Sequence, residues 1–160
     1  MAEYVKPNLL NPVHFLAFGF GSGLAPKAPG TVGTLMAIPP LYLMSFLNNI
    51  NYLIVLIIVI LSGIWICQKT SDDLGVHDHP GIVWDEFAGL FVTMLAVPLS
   101  WKTVTAGFLL FRLFDIWKPW PIGWLDKKVS GGLGIMLDDI VAGVFAAAVL
   151  HLALYFEWLS

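Results

Sequence analysis

The sequence predicts an all-α, polytopic membrane bundle, and three observations carry that prediction. First, the 160-residue chain is 58% hydrophobic and only 12% charged. Its mean hydropathy of +0.82 is far from the balance of a water-soluble domain. Second, no charged residue falls between Lys27 and Lys69, which leaves room for two spans of about 20 residues each. Third, two doubled acids stand where apolar runs begin: Asp85-Glu86 opens DEFAGLFVTMLAV and Asp138-Asp139 opens DDIVAGVFAAAVLHLALYF. Carboxylates at a bilayer boundary are costly and mark functional candidates. The length suits a single domain, residues 1–160, around one core.

In chain order, the opening MAEYVKPNLLNPVHF sets Glu3 near Lys6 and lacks a continuous apolar stretch with a small-residue cleavage site. It is not read as a signal peptide, so insertion falls to internal segments. GFGSGLAPKAPGTVGT follows, a Gly/Pro loop leading into a helix that starts near Thr31. The first span is expected over 31–47, kinked at Pro39-Pro40. Asn48, Asn49 and Asn51 divide it from a second over 52–68. A third apolar run begins after Glu86 and ends near Leu99; it is short for a hydrocarbon core of about 30 Å. A fourth, 103–117, contains Arg112 and Asp115 and reads as a buried or partly re-entrant helix. The fifth, 140–156, is a good span ending at Glu157 and Trp158. Four to five membrane-embedded helices result.

If all five runs cross, residues 1–30, 69–86 and 118–139 share one side. That side holds Lys6, Lys27, Lys69, Lys118, Lys127 and Lys128, against Lys102 alone on the other. The positive-inside rule makes it cytoplasmic and puts both acid pairs there. The two acid-led helix starts also resemble each other: Gly89 follows Asp85 by four residues, and Gly143 follows Asp139 by four. Residues four apart share a helix face, and glycine lets helices approach closely. A crossing at Gly89 and Gly143 would bring Asp85 and Asp139 together one turn above it. The plainer reading is that each acid caps its helix while the glycine packs.

Converging carboxylates form an oxygen-rich site suited to a hard divalent cation such as Mg²⁺. Arg112 and Asp115 share a face at i,i+3 spacing: a neutral ion pair, or a guanidinium fork free for phosphate. Lys118 offers a second cation, and Lys27 adds charge beside the helix start near Thr31. Gly131-Gly132 and Gly134 suggest a tight loop delivering Asp138-Asp139. His77-Asp78-His79 reads as a polar loop, with Asp78 the member best suited to assist a site. His14 and His151 read as interfacial and core residues, and Cys67 as apolar filler. A net charge of −3 and the absence of a broad basic surface exclude a nucleic-acid partner.

The stretches GSGLAPKAPGTVGT, VWDEFAG, FRLFDIWKPWPI and GGLGIMLDDIVAG, in that order, resemble the phosphatidylglycerophosphatase A family from about Gly19 to Gly143. The resemblance implies an all-α, Mg²⁺-dependent phosphatase of the bacterial inner membrane, with its active site on the cytoplasmic face. The reaction it implies is hydrolysis of phosphatidylglycerophosphate to phosphatidylglycerol, a step in phospholipid biosynthesis. The motif acids correspond to Asp85, Glu86, Asp138 and Asp139 as metal ligands, and the phosphate side to Lys27, Thr31, Arg112 and Lys118. Asp138, Asp139 and Arg112 are the catalytic candidates, with Asp138 a further ligand or a general base. One or two metals, and a metal-activated water or a phospho-aspartate, all fit that pattern. The sequence lacks a Cys-x5-Arg phosphocysteine motif, a D-x-D-x-Thr/Val motif and the D-G-x2-A-R run of CDP-alcohol transferases. Two other functions use the same residues: a cation transporter with intramembrane acids, and a non-catalytic scaffold of capped, glycine-packed helices.

Overall fold

The computed structural model describes residues 6–159; Glu3, and with it the start of the segment read as lacking a signal peptide, lies outside them. Every regular element among the described residues is helical. These are α1 (Pro12–Ala17), a 3-10 segment (Gly19–Leu24), α2 (Pro29–Met36), α3 (Ile38–Met44), α4 (Asn49–Leu74), α5 (Trp84–Thr93), α6 (Trp101–Trp117), α7 (Ile122–Lys128) and α8 (Gly131–Tyr155).

Local chemistry explains most of the boundaries. Asn48 caps α4 by accepting from the Asn51 amide at 2.9 Å, and Gly75 ends it with φ +65°. Ser100 and Thr103 form a reciprocal capping box at the start of α6. Pro39 and Pro40, which lack the N–H a helix interior needs, fall in the first turn of α3. The expected first span therefore resolves into two short helices, α2 and α3, rather than one kinked helix. The helix expected near Thr31 starts at Pro29.

Among the described residues, two helices are long and apolar enough to cross a membrane, α4 and α8. Along α4 the side chains of Ile54, Ile58, Leu61 and Trp65 face outward, the reverse of a soluble core helix. At 10 and 17 residues, α5 and α6 extend about 15 and 25 Å. The run expected to reach Leu99 stops being helical at Thr93. α8 begins more than two turns before the expected Ile140. Asp138 and Asp139 therefore do not cap it; they project from its interior.

α8 lies at the centre, packed against α4, α5, α6 and α7. Its crossing with α5 is a backbone contact. A Cβ on Gly143 would sit 2.5 Å from the Gly89 carbonyl oxygen. The Thr93 hydroxyl spans the same crossing, 2.9 Å from the Gly89 carbonyl and 3.4 Å from that of Gly143. The crossing inferred from the paired D-x-x-x-G starts is thus present. Where α8 meets α4, a Cβ on Gly132 would lie 2.0 Å from the Ile64 carbonyl oxygen. Gly132 is therefore a helix-packing position and Gly134 lies inside α8 against the Val129 carbonyl, not in the loop expected from sequence. Phe87, Leu90, Phe111, Met136 and Leu150 fill the core around these crossings.

The histidines exchange their expected places. His14 is buried, with Nδ1 accepting from the Asn8 amide at 3.1 Å and Nε2 at 3.1 Å from Asp73 Oδ2. His151 is exposed, 3.0 Å from the Leu95 carbonyl. Cys67 is buried against the Met136 sulfur, in keeping with a filler role.

Backbone contact leaves no side chain to give way, so Gly143→Ala should cost about 1–3 kcal/mol of stability. Ala148→Leu, on the exposed face of the same helix, should stay within about 0.5 kcal/mol of wild type. Thermal unfolding of both variants in one detergent checks the difference.

Candidate active site

Four helices and one loop meet around a cavity of about 300 Å³. The start of α2 contributes Ala28, Pro29 and Gly30, and the loop before α5 contributes Asp78, Pro80 and Ile82. Asp85 and Glu86 come from the first turn of α5. The last turns of α6 and its C-cap give Arg112, Asp115 and Lys118, and α8 gives Ile135, Asp138 and Asp139. Six carboxylates thus face two cations, a formal excess of four negative charges. Three lining residues, Ala28, Asp78 and Lys118, adopt positive φ without being glycine. Such strain collects where the chain is held for a purpose.

Polar contacts organise these groups into two clusters. In the first, Glu86 is ion-paired with Arg112, and its Oε2 also accepts from the Thr34 hydroxyl at 2.8 Å. Arg112 Nη1 reaches Asp115 Oδ2 at 2.7 Å, an i,i+3 pair on α6. A Cβ on Gly30 would stand 2.1 Å from Glu86 Oε1 and 3.2 Å from Arg112 Nη1, so only a glycine lets α2 close over this pair. Arg112 Nε is buried and has no hydrogen-bond partner among the described residues. In the second cluster, Lys118 Nζ holds Asp138 Oδ2 and Asp126 Oδ1, each at 2.8 Å.

Between the clusters, Asp115, Asp138 and Asp139 each offer a carboxylate oxygen within 4.8 Å of the other two. Asp139 is 3% exposed, and its Oδ2 has no hydrogen-bond partner among the described residues. A buried carboxylate oxygen without a donor is costly. A divalent cation would satisfy it, and three hard oxygens at this separation are the donor set such an ion takes. The residues present therefore fit a divalent metal.

Most residues picked out from sequence converge here: Asp85, Glu86, Arg112, Lys118, Asp138 and Asp139 all line the cavity. Asp85 also closes its own turn, accepting from the Glu86 amide at 3.0 Å. Lys27 is exposed and Thr31 half-buried, and neither lines the cavity. The hydroxyl that reaches the acids is Thr34, one turn beyond Gly30 on the same face of α2. The residues missed are Thr34, Asp126 and Asp115's oxygen in the carboxylate triad. Gly30 and Thr34 stand four apart, a face signal that could have found the threonine; no local spacing links Asp126 to Lys118. In the His77-Asp78-His79 loop, Asp78 lines the cavity as expected. His77 Nε2 accepts from the Gly131 amide at 2.9 Å and His79 Nδ1 from Gly81 at 3.0 Å, so both imidazoles fasten loops. Burial holds the His79 pKa below its usual value, against the opposing charge of Asp78.

The family model for phosphatidylglycerophosphatase A matches residues 15–154, a span that contains every cavity-lining residue. The chain belongs to the phosphatidylglycerophosphatase A family. It is 55% identical to a phosphatidylglycerophosphatase A of Escherichia coli K12 over 142 residues, 88% of this chain and 83% of the relative. It is 49% identical to one of Haemophilus influenzae over 152 residues, 94% and 93% of the two chains. No solved structure matches.

Lys118 lends itself to a direct test. Burial works against its charge, but the hydrogen bonds and charges of Asp126 and Asp138 outweigh burial and raise its pKa above 10.5. Because the folded value lies above the unfolded one, its pairing stabilises the fold at every pH below the unfolded pKa. That contribution fades only as pH rises through the raised value. Amine acylation at pH 9, followed by mass spectrometry, should therefore label Lys118 at least about tenfold more slowly than exposed Lys127 and Lys128.

Proposed function

We propose that this chain is a multi-pass lipid phosphatase of the bacterial inner membrane. It hydrolyses phosphatidylglycerophosphate to phosphatidylglycerol and inorganic phosphate, and it depends on Mg²⁺. The observation that carries the reading is the Asp115–Asp138–Asp139 triad, with its donorless Asp139 oxygen, set beside Arg112 and Lys118. An all-acid cavity would repel a phosphomonoester; cation-neutralised acids beside a guanidinium and an ammonium would bind one. The substrate comes from the names of the two relatives. The acids gather at one end of the bundle, which favours a reaction site over a permeation path.

Asp85, Asp115, Asp138 and Asp139 hold the metal in this reading. A bound divalent cation supplies charge to the phosphoryl oxygens and lowers the pKa of an attacking water. Glu86, with Oε2 committed to Thr34 and Arg112, orients the guanidinium rather than ligating. Arg112 and Lys118, the two cations of the cavity lining, stabilise the phosphate oxygens that gain charge in the transition state. Asp138, anchored through Oδ2 by Lys118, accepts the proton of the water as its oxygen bonds to phosphorus. The phosphorus–oxygen ester bond breaks, and the glycerol oxygen leaves as an alcohol by taking up the proton that Asp138 accepted from the water. Lys27 and Thr31 stand outside the cavity lining and serve the approach to it.

In the membrane, α4 and α8 cross, with α5 and α6 embedded beside them. The lysine bias of the polar segments faces the cavity end toward the cytoplasm.

Two measurements test this. Purified protein should release phosphate from phosphatidylglycerophosphate with Mg²⁺ and stop with EDTA; turnover indifferent to EDTA would overturn the metal assignment. Asp139→Asn should lower kcat by at least about 10²-fold, since it removes a charge from the metal and the transition state together. A folded Asp139→Asn protein with wild-type kcat would remove Asp139 from the site.

A further inference from the structure

A second hollow, of about 600 Å³, runs along the outer face of α6. Its walls are Leu109, Arg112, Leu113, Ile116 and Trp117. These positions follow one another at i, i+3, i+4, i+7 and i+8, so they form a single stripe on the helix. The opposite face of α6 is spent on the core, where Phe111 is buried and Phe114 meets Phe145 edge-on. The stripe itself is uncovered: Leu109 and Leu113 are 59% and 53% exposed, Ile116 and Trp117 69% and 68%. Within this apolar row stands one charged residue, and it is Arg112. Among the described residues, Arg112 alone lines both this groove and the acid cavity.

The two hollows differ in what they can hold. The cavity is charged and suits a phosphate; the groove is apolar apart from the arginine that joins them. A lipid phosphate is one molecule with both characters, an anionic end covalently tied to acyl chains. With its phosphate at Arg112, its chains must leave the cavity by a path that does not bury them against carboxylates. The α6 groove provides that path, because the same residue, Arg112, borders both. The apolar hollow near Trp101, bounded by Ile38, Leu41, Tyr42, Leu99, Ser100 and Val104, shares no residue with the acid cavity and offers no such continuity.

We infer that the α6 groove is the seat of the substrate's acyl chain, and that the lipid enters sideways from the bilayer past Arg112. Leu109 and Leu113 line the chain's path toward the membrane interior, and Trp117 forms its lip beside Lys118. The inference rests on the lipid-phosphatase reading and adds to it a subsite and a direction of entry.

The test compares kcat/KM for dioleoyl and dihexanoyl phosphatidylglycerophosphate in the same mixed micelles. Leu113→Trp fills the groove. Ile58→Trp makes a comparable change on the outward face of α4, at a similarly exposed apolar residue that lines neither the groove nor the acid cavity. For Leu113→Trp the dioleoyl-to-dihexanoyl ratio should fall about tenfold, and for Ile58→Trp it should stay within about twofold of wild type. Leu109→Trp, one turn away in the same groove, should repeat the fall and stands in if Leu113→Trp unfolds. An unchanged ratio in the groove variants, or an equal fall in Ile58→Trp, overturns the subsite. Wild-type protein that hydrolyses neither substrate overturns the phosphatase reading and the subsite with it. A wild type active on both, with no ratio change in the variants, overturns the subsite alone.

Discussion

The backbone contact between α5 and α8 is the constraint on which the site depends. Two helices that each carry a doubled acid can bring those acids to one cavity only if their axes come within the reach of short carboxylate side chains. Gly89 and Gly143 remove the side chains that would hold the axes apart. Thr93 then spends its hydroxyl at the same crossing, on carbonyls already committed to helix bonds. Without the crossing, Asp85 and Asp139 would sit on separate helix surfaces and the charge would be dispersed.

Concentrating that charge creates a problem, which the surrounding elements solve by pairing. Burying carboxylates in an apolar bundle is unfavourable unless each finds a countercharge or a donor. Arg112 takes Glu86 and Asp115, Lys118 takes Asp126 and Asp138, and Thr34 adds a hydroxyl to Glu86. Asp139 is left with an oxygen that no protein donor reaches. The pairs cover Glu86, Asp115 and Asp138, while the cavity keeps a net negative charge that converges on Asp139 and the other two acids of the triad. That is where an external cation is worth most.

The sequence made some of this legible and hid the rest, for identifiable reasons. The acid pairs and the i+4 glycines gave the crossing, because spacing on one helix and small residues at interfaces are local signals. Apolar run length found α4 but misjudged α8: Gly131 to Met136 looks like a loop by composition, yet it is the first turns of the helix, with Gly132 packed against α4. Pro39-Pro40 was legible as a disruption, but not as a full division into two helices, since that depends on which amide is left without a partner. Lys27 and Thr31 attracted attention because they flank a glycine-rich loop. The structure instead turns Thr34 inward, a choice made by the tertiary position of Glu86. Asp126 could not be found from spacing, since its pairing with Lys118 exists only once α7 has packed against α8 with Asp126 turned toward the C-cap of α6.

Lys118 occupies a junction of the fold. It ends α6 in a left-handed conformation, and its ammonium ties α7 to α8 through Asp126 and Asp138. An ammonium carries three hydrogens, and these two carboxylates use two of them. The third is available to an incoming oxyanion without either helix having to let go. The same side chain can thus act as a structural rivet and a reception point at once. A phosphate could come and go at this position while the three-helix junction stays closed.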